Sequence, residues 1–302
     1  MTATTSAPPS RRRRSLGDLK VAMIFLAPAT VGFVVFYIWP TLRGAYLSFT
    51  QYSLLSAPHF NGLQNYQRMV QDSFFWNALV VTVEYVVINI GLQTVLAVGI
   101  AMLMYRLTQS ITVRAVVLLP YLVANVVVAL VWYWMLDFQV GIVNQLLTWI
   151  GINPIAFFGD SHWAIPTVAL INVWRHMGYT ALLVFAGLQT IPKYVYEAAE
   201  VDGSTEMKTF WRITLPLLRP VLVMVLVVTM IGSFQIFDTV AVTTQGGPIN
   251  ATRVIYYYIY ERAFTRFDFG YASAMALVLF AILAVVSLLQ LRLLRARESD
   301  LA

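Results

Sequence analysis

Six long apolar stretches alternate with shorter polar stretches along this chain of 302 residues. A helix rises 1.5 Å per residue, so it needs roughly 20 apolar residues to cross a bilayer, whereas the strands of a closed barrel are much shorter. The pattern therefore predicts an all-α membrane protein with six transmembrane helices. The predicted spans lie at about 21–40, 78–105, 113–137, 164–190, 217–240 and 270–293.

The composition agrees with a membrane protein. Hydrophobic residues make up 59% of the chain and charged residues 11%, against roughly 25% charged residues in an ordinary soluble domain. The chain has no cysteine, so it has neither a disulfide framework nor a thiolate metal site. The three histidines are scattered, which predicts no metal cluster; they are His59, His162 and His176.

Lysine and arginine are distributed unevenly between the two sides that six spans create. One side holds 14 of the 20 residues and the other holds five, while Arg175 lies inside a span. Because positive residues favour the cytoplasm, both termini and the loop 191–216 are predicted to be cytoplasmic. This placement explains the net charge of +6 better than a nucleic-acid partner does, and no nucleic-acid partner is expected.

The chain ends are predicted to be short cytoplasmic tails. Residues 1–20 are basic and rich in Pro and Ser. The apolar run that follows them is too long for an ordinary signal peptide and has no clean cleavage site, so an uncleaved, disordered tail is predicted. Residues 298–302 form the second tail.

The polar stretch between the fourth and fifth predicted spans reads EAAEVDGSTEMKTFWRITLP, at 197–216. It resembles the cytoplasmic coupling loop of membrane subunits of ABC importers, whose pattern is EAA, three residues, Gly, nine residues, Ile, any residue, Leu-Pro. Every fixed position matches, and a chance match in a solvated loop is the alternative. The candidate coupling residues are Glu197, Ala198, Ala199, Asp202, Gly203, Ile213, Leu215 and Pro216.

The residues of this loop suit a helix that docks on a partner. Pro192 ends the preceding helix, and the segment from Tyr194 to about Met207 favours a short helix. Ala198 and Ala199 have almost no side-chain bulk, so a partner surface could approach the backbone closely. Gly203 permits a sharp exit from the helix. Four carboxylates suit basic groups on a partner; they are Glu197, Glu200, Asp202 and Glu206.

Three other segments extend the resemblance to carbohydrate importers. Residues 21–52 resemble the first span and first external segment of the maltose-type and glycerol-3-phosphate-type subunits. Residues 234–252, with a Gly-Gly-Pro turn, resemble the end of the fifth span and the external loop of that class. Residues 263–276 resemble the lead-in to its last span. The resemblance covers 20–297 and implies a permease domain at 21–297 with the fold of type I ABC importers, without the maltose-type subunit's extra N-terminal helices and large external domain.

The resemblance also implies a function and a set of partners. The chain would be the first of two unlike permease subunits of an ATP-driven importer in the plasma membrane, moving a sugar or sugar-like solute by alternating access. The transported solute could be a disaccharide, an amino sugar or a glycerol-phosphate-type compound. The implied partners are a second permease subunit, a dimer of ABC ATPases, an extracytoplasmic substrate-binding protein that touches the 241–268 loop, and membrane lipid.

No cofactor is expected in this chain. It has no GxxxxGK[ST] phosphate-binding loop, so ATP and Mg²⁺ are expected on the partner ATPases. The sequence also offers no catalytic triad and no metal-ligand set, so the chain is predicted to be a transport subunit and not an enzyme.

Polar residues within two spans are candidates for the substrate pathway. An ionisable residue at membrane depth is costly and usually faces a cavity. The resemblance places three fourth-span residues where the maltose-type subunit contacts sugar, and only Tyr179 keeps the family's residue type there. The candidates are Arg175, His176 and Tyr179 in the fourth span and Thr229, Ser233 and Gln235 in the fifth.

Structural roles are the alternatives for these residues. Arg175 could pair with Glu84, with Asp238 or with a partner subunit, and the fifth-span residues could make only interhelical hydrogen bonds. Glu84 is expected to have a buried structural partner, and Asp238 is expected near the external interface. Phe234 or Phe237 could stack on a sugar ring.

Two rival functions remain open at this point. An ion-coupled secondary transporter would need intramembrane carboxylates in a relay or broken-helix repeats, and Glu84 alone is thin support for one. A membrane-embedded enzyme or assembly factor would need a cluster of His, Asp and Glu residues. Copurification of an ATPase would distinguish both rivals from an ABC permease.

Overall fold

The computed structural model describes residues 16–53, 56–108 and 110–293, with side chains from Met23 to Arg292. Apart from residues 16–20, the predicted tails 1–20 and 298–302 lie outside the described residues.

Helices dominate the described part of the chain. The β-structure of these residues is limited to one two-stranded antiparallel sheet, which pairs Thr50 with Phe60. Three five-residue π-helical turns, at Val34–Ile38, Phe210–Thr214 and Glu261–Thr265, interrupt the α-helices. The elements are α1 Leu16–Phe33, α2 Trp39–Leu47, β1 Thr50–Gln51, β2 His59–Phe60, α3 Gln64–Gln71, α4 Ser73–Leu107, α5 Ile111–Leu122, α6 Asn125–Met135, α7 Ile142–Trp149, α8 Ser161–Leu188, α9 Lys193–Val201, α10 Glu206–Thr209, α11 Leu215–Leu217, α12 Arg219–Phe234, α13 Asp238–Thr243, α14 Ile255–Tyr260 and α15 Phe269–Leu293.

Five helical segments among the described residues are long and apolar enough to cross a membrane, and α5 with α6 makes a sixth as a bent pair. This confirms the predicted all-α membrane fold. The five segments are Met23–Leu47, Ser73–Leu107, Ser161–Leu188, Arg219–Thr243 and Phe269–Arg292.

The third predicted span, 113–137, is two helices and not one. Helices α5 and α6 meet at 87°. Pro120 lies in the last turns of α5 and has no N–H to donate, so the backbone hydrogen bonding of the helix is weakened just before the break. The bend exposes backbone carbonyls at membrane depth, where each needs a donor.

Two other spans begin earlier than predicted because a carboxylate caps each one. The Asp72 side chain accepts a hydrogen bond from the N–H of Phe74 at 2.9 Å, which lets α4 start at Ser73. The Asp160 side chain accepts from the N–H of His162 at 2.7 Å and starts α8 at Ser161. Side-chain oxygens at this position satisfy helix N–H groups that have no partner within the helix.

Helices α4 and α8 form the centre of the bundle, and small residues let them pack closely. Ala97, Ala101 and Ala181 are fully buried between them in the half of the core that also contains Ile191 and Leu218. In the other half, α4 and α8 pack with α14 and α15 around Tyr258, Tyr271 and Met275. The first span differs, because none of its side chains from Met23 to Leu47 is buried.

Gly178 allows α8 to approach α5. A Cβ atom at this position would collide with the backbone carbonyl oxygen of Val117. Backbone cannot move aside as a flexible side chain can, and overpacking of this kind costs about 1–3 kcal/mol.

We therefore expect Gly178→Ala to lower the thermal midpoint of the purified protein in detergent. The matched control is Gly99→Ala on α4, where an added Cβ would meet nothing within 4 Å. Because alanine favours helix over glycine, the control should unfold at the same temperature as the parent or higher. Equal midpoints for the two variants would contradict the close α5–α8 contact.

Candidate substrate cavity and coupling surface

A cavity of about 240 Å³ lies within the bundle, lined by residues of α4, α5, α6, α8, α12 and α13 and by the turn between α12 and α13. Five of the six predicted pathway residues line it. They are His176, Tyr179, Thr229, Ser233 and Gln235.

One wall of the cavity is aromatic. The rings of Tyr121 and Tyr179 stack with centroids 4.5 Å apart and planes 13° from parallel. The His176 ring meets Tyr121 edge-on at 5.8 Å. Phe237 also lines the cavity, whereas Phe234 is buried in the core. An aromatic face beside polar groups is a common way to bind and orient a small molecule.

Another wall is a network of buried amides and hydroxyls. The Asn89 amide donates to the Ser233 hydroxyl at 2.9 Å and to the Gln93 carbonyl oxygen at 3.2 Å. The Gln93 amide in turn donates to the Thr180 hydroxyl at 2.7 Å. The network ties α4 to α12 and to α8. Ser233 therefore makes an interhelical bond and also lines the cavity.

Four residues line the cavity although they were not predicted to do so; they are Asn89, Gln93, Tyr121 and Asn125. Asn89 and Gln93 lie four residues apart, on one face of the apolar helix α4. Two amides with this spacing in an apolar helix could have indicated a polar face directed at the interior of the bundle. Tyr121 and Asn125 flank the bend in the third span, and no sequence pattern indicated that they would face inward.

Arg175 does not line the cavity; it binds the backbone at the bend. Its guanidinium donates to the carbonyl oxygen of Tyr121 at 3.2 Å and to that of Val123 at 3.1 Å. Within the described residues it forms no ion pair with Glu84 or Asp238. Arg175 thus supplies the donors that the broken helix lacks.

The two carboxylates of the spans differ in their surroundings. Glu84 is exposed on the outer surface of α4, where a buried structural partner was expected. Asp238 was not predicted to line the cavity but does so, and its carboxylate accepts a hydrogen bond from the Asn125 amide at 2.8 Å. Its expected position near the external interface stays a prediction. Asp238 reaches the cavity because α12 ends at Phe234 and the turn that follows directs the first residue of α13 inward.

The predicted coupling loop forms a short helix with a defined end. Helix α9 follows Pro192 and ends at Val201, earlier than the predicted Met207. Gly203 has φ +67°, and its N–H donates to the Glu200 carbonyl at 3.0 Å. The N–H of Ser204 donates to the Ala199 carbonyl at 2.9 Å. These two bonds are a Schellman motif, and they explain the glycine because only glycine adopts this backbone conformation without strain.

The eight candidate coupling residues divide into two groups. Glu197, Ala198, Asp202 and Gly203 are exposed, while Ala199 is buried and Ile213, Leu215 and Pro216 are half-buried. Ala199 was expected to face a partner, but it is about 100° around the helix from Ala198 and packs against the bundle. The buried group attaches the loop to the membrane helices, and the exposed group can contact another protein.

The loop also has exposed apolar side chains that were not among the predicted coupling residues. Val201 is 88% exposed at the end of α9. Three other large side chains of the loop are also exposed; they are Tyr194, Met207 and Trp211. A cleft of about 530 Å³ beside α9 is lined by Lys193, Glu197 and Glu200 among others. An ion pair between Arg106 and Glu206 ties the loop to the end of α4.

The loop 241–268, which was predicted to be external, is fixed to the start of α4 by a hydrogen-bonded carboxylate. Asp72 accepts from the hydroxyls of Tyr258 at 2.6 Å and Tyr271 at 2.7 Å, and Arg262 donates to the Tyr258 hydroxyl at 2.7 Å. Burial raises the pKa of Asp72, but these hydroxyls, the Phe74 N–H and Arg262 outweigh it and hold the pKa below its usual value. Burial and then Asp72 raise the pKa of Tyr258 to about 12, so Tyr258 remains a donor at neutral pH.

Comparison with known proteins identifies the family. The family described as "Binding-protein-dependent transport system inner membrane component" matches residues 93–299, more than half of the chain. The chain is 34% identical to the sulfoquinovosyl glycerol transport system permease protein SmoG of Agrobacterium fabrum, over 94% of this chain and 93% of that protein. It is 30% identical to the trehalose/maltose transport system permease protein MalF of Thermococcus litoralis, over 93% of this chain and 96% of that protein.

The fold agrees with these relatives. A bacterial ABC transporter involved in the import of the acidic polysaccharide alginate has a chain that matches with a TM-score of 0.82 and 24% identity, over 94% of this chain and 99% of that chain. A second structure of an alginate transporter, in complex with an alginate pentasaccharide-bound periplasmic protein, matches with a TM-score of 0.81. The chain thus belongs to the family of binding-protein-dependent transport system inner membrane components, as a permease subunit of an ABC transporter.

Proposed function

We propose that this chain and a second, similar permease together form the pathway of an ATP-driven importer. A sugar-like solute passes through the cavity beside Tyr121 and Tyr179, and α9 carries the motion of a partner ATPase to the helices that line the cavity. Both termini lie in the cytoplasm. The observation that carries the proposal is one helix, α8, whose middle turns contribute His176 and Tyr179 to the cavity and whose end is joined to α9 by only four residues, 189–192.

The mechanism is the one that the family resemblance implies, and this connection supports it. ATP binding closes the two ATPases and pulls the two coupling helices together. Because Ile213, Leu215 and Pro216 hold the loop against the bundle, the motion of α9 is transmitted to α8 and α12. The cavity then opens outward to accept the solute, and ATP hydrolysis resets it inward. Alternating access of this kind needs rigid connections, which the Schellman end of α9 and the Arg106–Glu206 pair provide.

The second permease is supported by surfaces that this chain leaves uncovered. The first span has no buried side chain from Met23 to Leu47, and Glu84 is exposed in the middle of α4. Lipid can cover apolar side chains, but an exposed carboxylate at membrane depth calls for a polar partner. A substrate-binding protein is proposed to dock on the 241–268 loop, which the Asp72 contacts hold in place and which presents Ile249 and Phe264 to solvent.

Copurification tests the proposal. The complex is purified in mild detergent from the native membrane, and its ATPase activity is measured with and without candidate binding proteins loaded with sugar. We expect an ATPase and a second permease to copurify and one loaded binding protein to stimulate the activity. Recovery of this chain alone from active membranes, with ion-gradient-dependent uptake, would favour a secondary transporter.

A further inference from the structure

Three basic side chains lie along the helical segment that leads from the coupling loop into α12. They are Lys208, Arg212 and Arg219, and all three are exposed. Among the described residues, none offers these side chains a hydrogen bond or an ion pair. Their positive charges are therefore free to bind a negatively charged group from outside this chain.

The opposite face of this segment packs against the protein. Thr214 is 1% exposed, and its hydroxyl lies 3.5 Å from the Tyr196 hydroxyl of α9. Glu206 forms its ion pair with the end of α4. Two residues along a helix correspond to about half a turn. Because Arg212 is two residues before Thr214 and Lys208 is two residues after Glu206, both cations point away from α9 and from the bundle.

The basic residues lie where the chain enters the membrane. Arg219 is the first residue of a helical segment long and apolar enough to cross it. Residues 213–228 are apolar apart from a threonine and Arg219, so Lys208 and Arg212 precede the apolar run, and the long Arg219 side chain can reach back to the interface. Trp211 is 59% exposed, and tryptophan is enriched at membrane–water interfaces. The basic face therefore lies at the level of the lipid headgroups.

We propose that Lys208, Arg212 and Arg219 form a binding site for the headgroup of an anionic phospholipid, with Trp211 beside the start of its acyl chains. Phosphate oxygens accept hydrogen bonds from guanidinium and ammonium groups, and basic residues next to the end of a span attract negatively charged lipid. A phosphatidylglycerol headgroup carries a net negative charge, whereas a phosphatidylcholine headgroup is neutral overall. The site therefore prefers phosphatidylglycerol.

The partner ATPase is the other group that approaches this loop. In the proposed function it docks on the exposed side of α9, and Lys208 and Arg212 point away from α9. Lipid therefore covers the basic face, and its headgroup holds the start of α12 at the membrane surface while α9 moves. The inference extends beyond the proposed function and needs only that α12 crosses the membrane.

Trp211 provides the measurement, because bromine atoms in a lipid acyl chain quench the fluorescence of a tryptophan close to them. The complete transporter is placed in phosphatidylcholine nanodiscs that contain, at equal mole fraction, either brominated phosphatidylglycerol or brominated phosphatidylcholine. The chain has eight tryptophans, so the Trp211 signal is the difference between the parent and Trp211→Phe. We expect brominated phosphatidylglycerol to quench this signal several-fold more strongly, and we expect the preference to fall at high salt because salt screens exposed charges.

Lys208→Gln combined with Arg212→Gln should bring the two lipids to nearly equal quenching. Two such charges at a membrane surface contribute on the order of ten-fold or more to the affinity for anionic lipid. The matched control is Lys193→Gln combined with Arg266→Gln, which removes two exposed positive charges elsewhere in the chain. It has the same net charge as the test variant and should keep the parent's preference.

Several results would overturn the inference. Equal quenching by the two lipids on the parent, or an unchanged preference in the Lys208→Gln/Arg212→Gln variant, would show that these cations do not select anionic lipid. Absence of quenching by either lipid would show that protein covers Trp211. The comparison on the parent and its salt dependence use neither charge variant, so misfolding of a charge variant leaves the test intact.

The lipid site and the proposed function fail separately. A transporter that copurifies with its ATPase and imports sugar, yet shows no lipid preference at Trp211, would refute the lipid site and leave the proposed function standing. Recovery of this chain without an ATPase would refute the proposed function, and the quenching comparison on that chain would still decide the lipid site.

Discussion

Glu197→Lys is expected to stop solute uptake without affecting insertion of the chain in the membrane. Glu197 is exposed on α9 beside the cleft that Lys193 and Glu200 also line, and it forms no ion pair within the described residues. The reversed charge therefore removes nothing that holds this chain together. On a partner with basic groups opposite α9, however, it places like charges in contact, which costs several kcal/mol. Uptake should fall by roughly ten-fold or more.

The measurement compares uptake of labelled solute, ATPase recovered with the complex and abundance of the chain in the membrane. Glu197→Gln is the matched control, because it keeps the size of the side chain and removes only its charge. It should lie between the parent and Glu197→Lys in uptake. Normal uptake by the lysine variant, at normal abundance, would remove Glu197 from the coupling surface.

The features that the sequence predicted well are those that depend on local pattern. Each span is a run of apolar residues long enough to cross a bilayer. Because unsatisfied backbone groups are costly in lipid, such a run is expected to be helical. The coupling motif likewise has a local cause, since Gly203 ends α9 through bonds to Ala199 and Glu200. Such features need no knowledge of the neighbouring helices.

The features that the sequence could not predict depend on contacts between distant residues. Whether Asp238 faces the cavity or the external surface is decided by where α12 ends and by the position of Asn125, 113 residues earlier. Glu84 lies in the same helix as Asn89, but it points outward because α8 covers only one side of α4. The contacts of Arg175 depend on the bend at Val123. Pro120 favours a bend in this region but does not determine the residue at which it occurs.

Arg175→Ala is expected to destabilise the third span, and any loss of transport should follow from that. The substitution removes the donors to the carbonyl oxygens of Tyr121 and Val123. A carbonyl left without a donor at membrane depth, where water cannot replace the donor, costs about 1–3 kcal/mol, so the thermal midpoint of the purified complex should fall clearly. Arg175→Lys keeps one charged donor and should recover part of the loss. Exposed Arg266 is the control, since Arg266→Ala removes an arginine whose carboxylate contact is long, at 3.7 Å.

The same variants separate the structural role from direct contact with solute. If Arg175 acts through the bend, Arg175→Ala lowers stability and uptake together, and the apparent KM for the loaded binding protein stays at the parent's value at low temperature, where the fold is retained. If Arg175 touched solute, stability would be unchanged and uptake would fall alone. The bend positions Tyr121 and Asn125 on either side of it, and both line the cavity. Loss of the Arg175 contacts should therefore weaken the Tyr121–Tyr179 stack as well, which the near-ultraviolet circular dichroism of the complex would report.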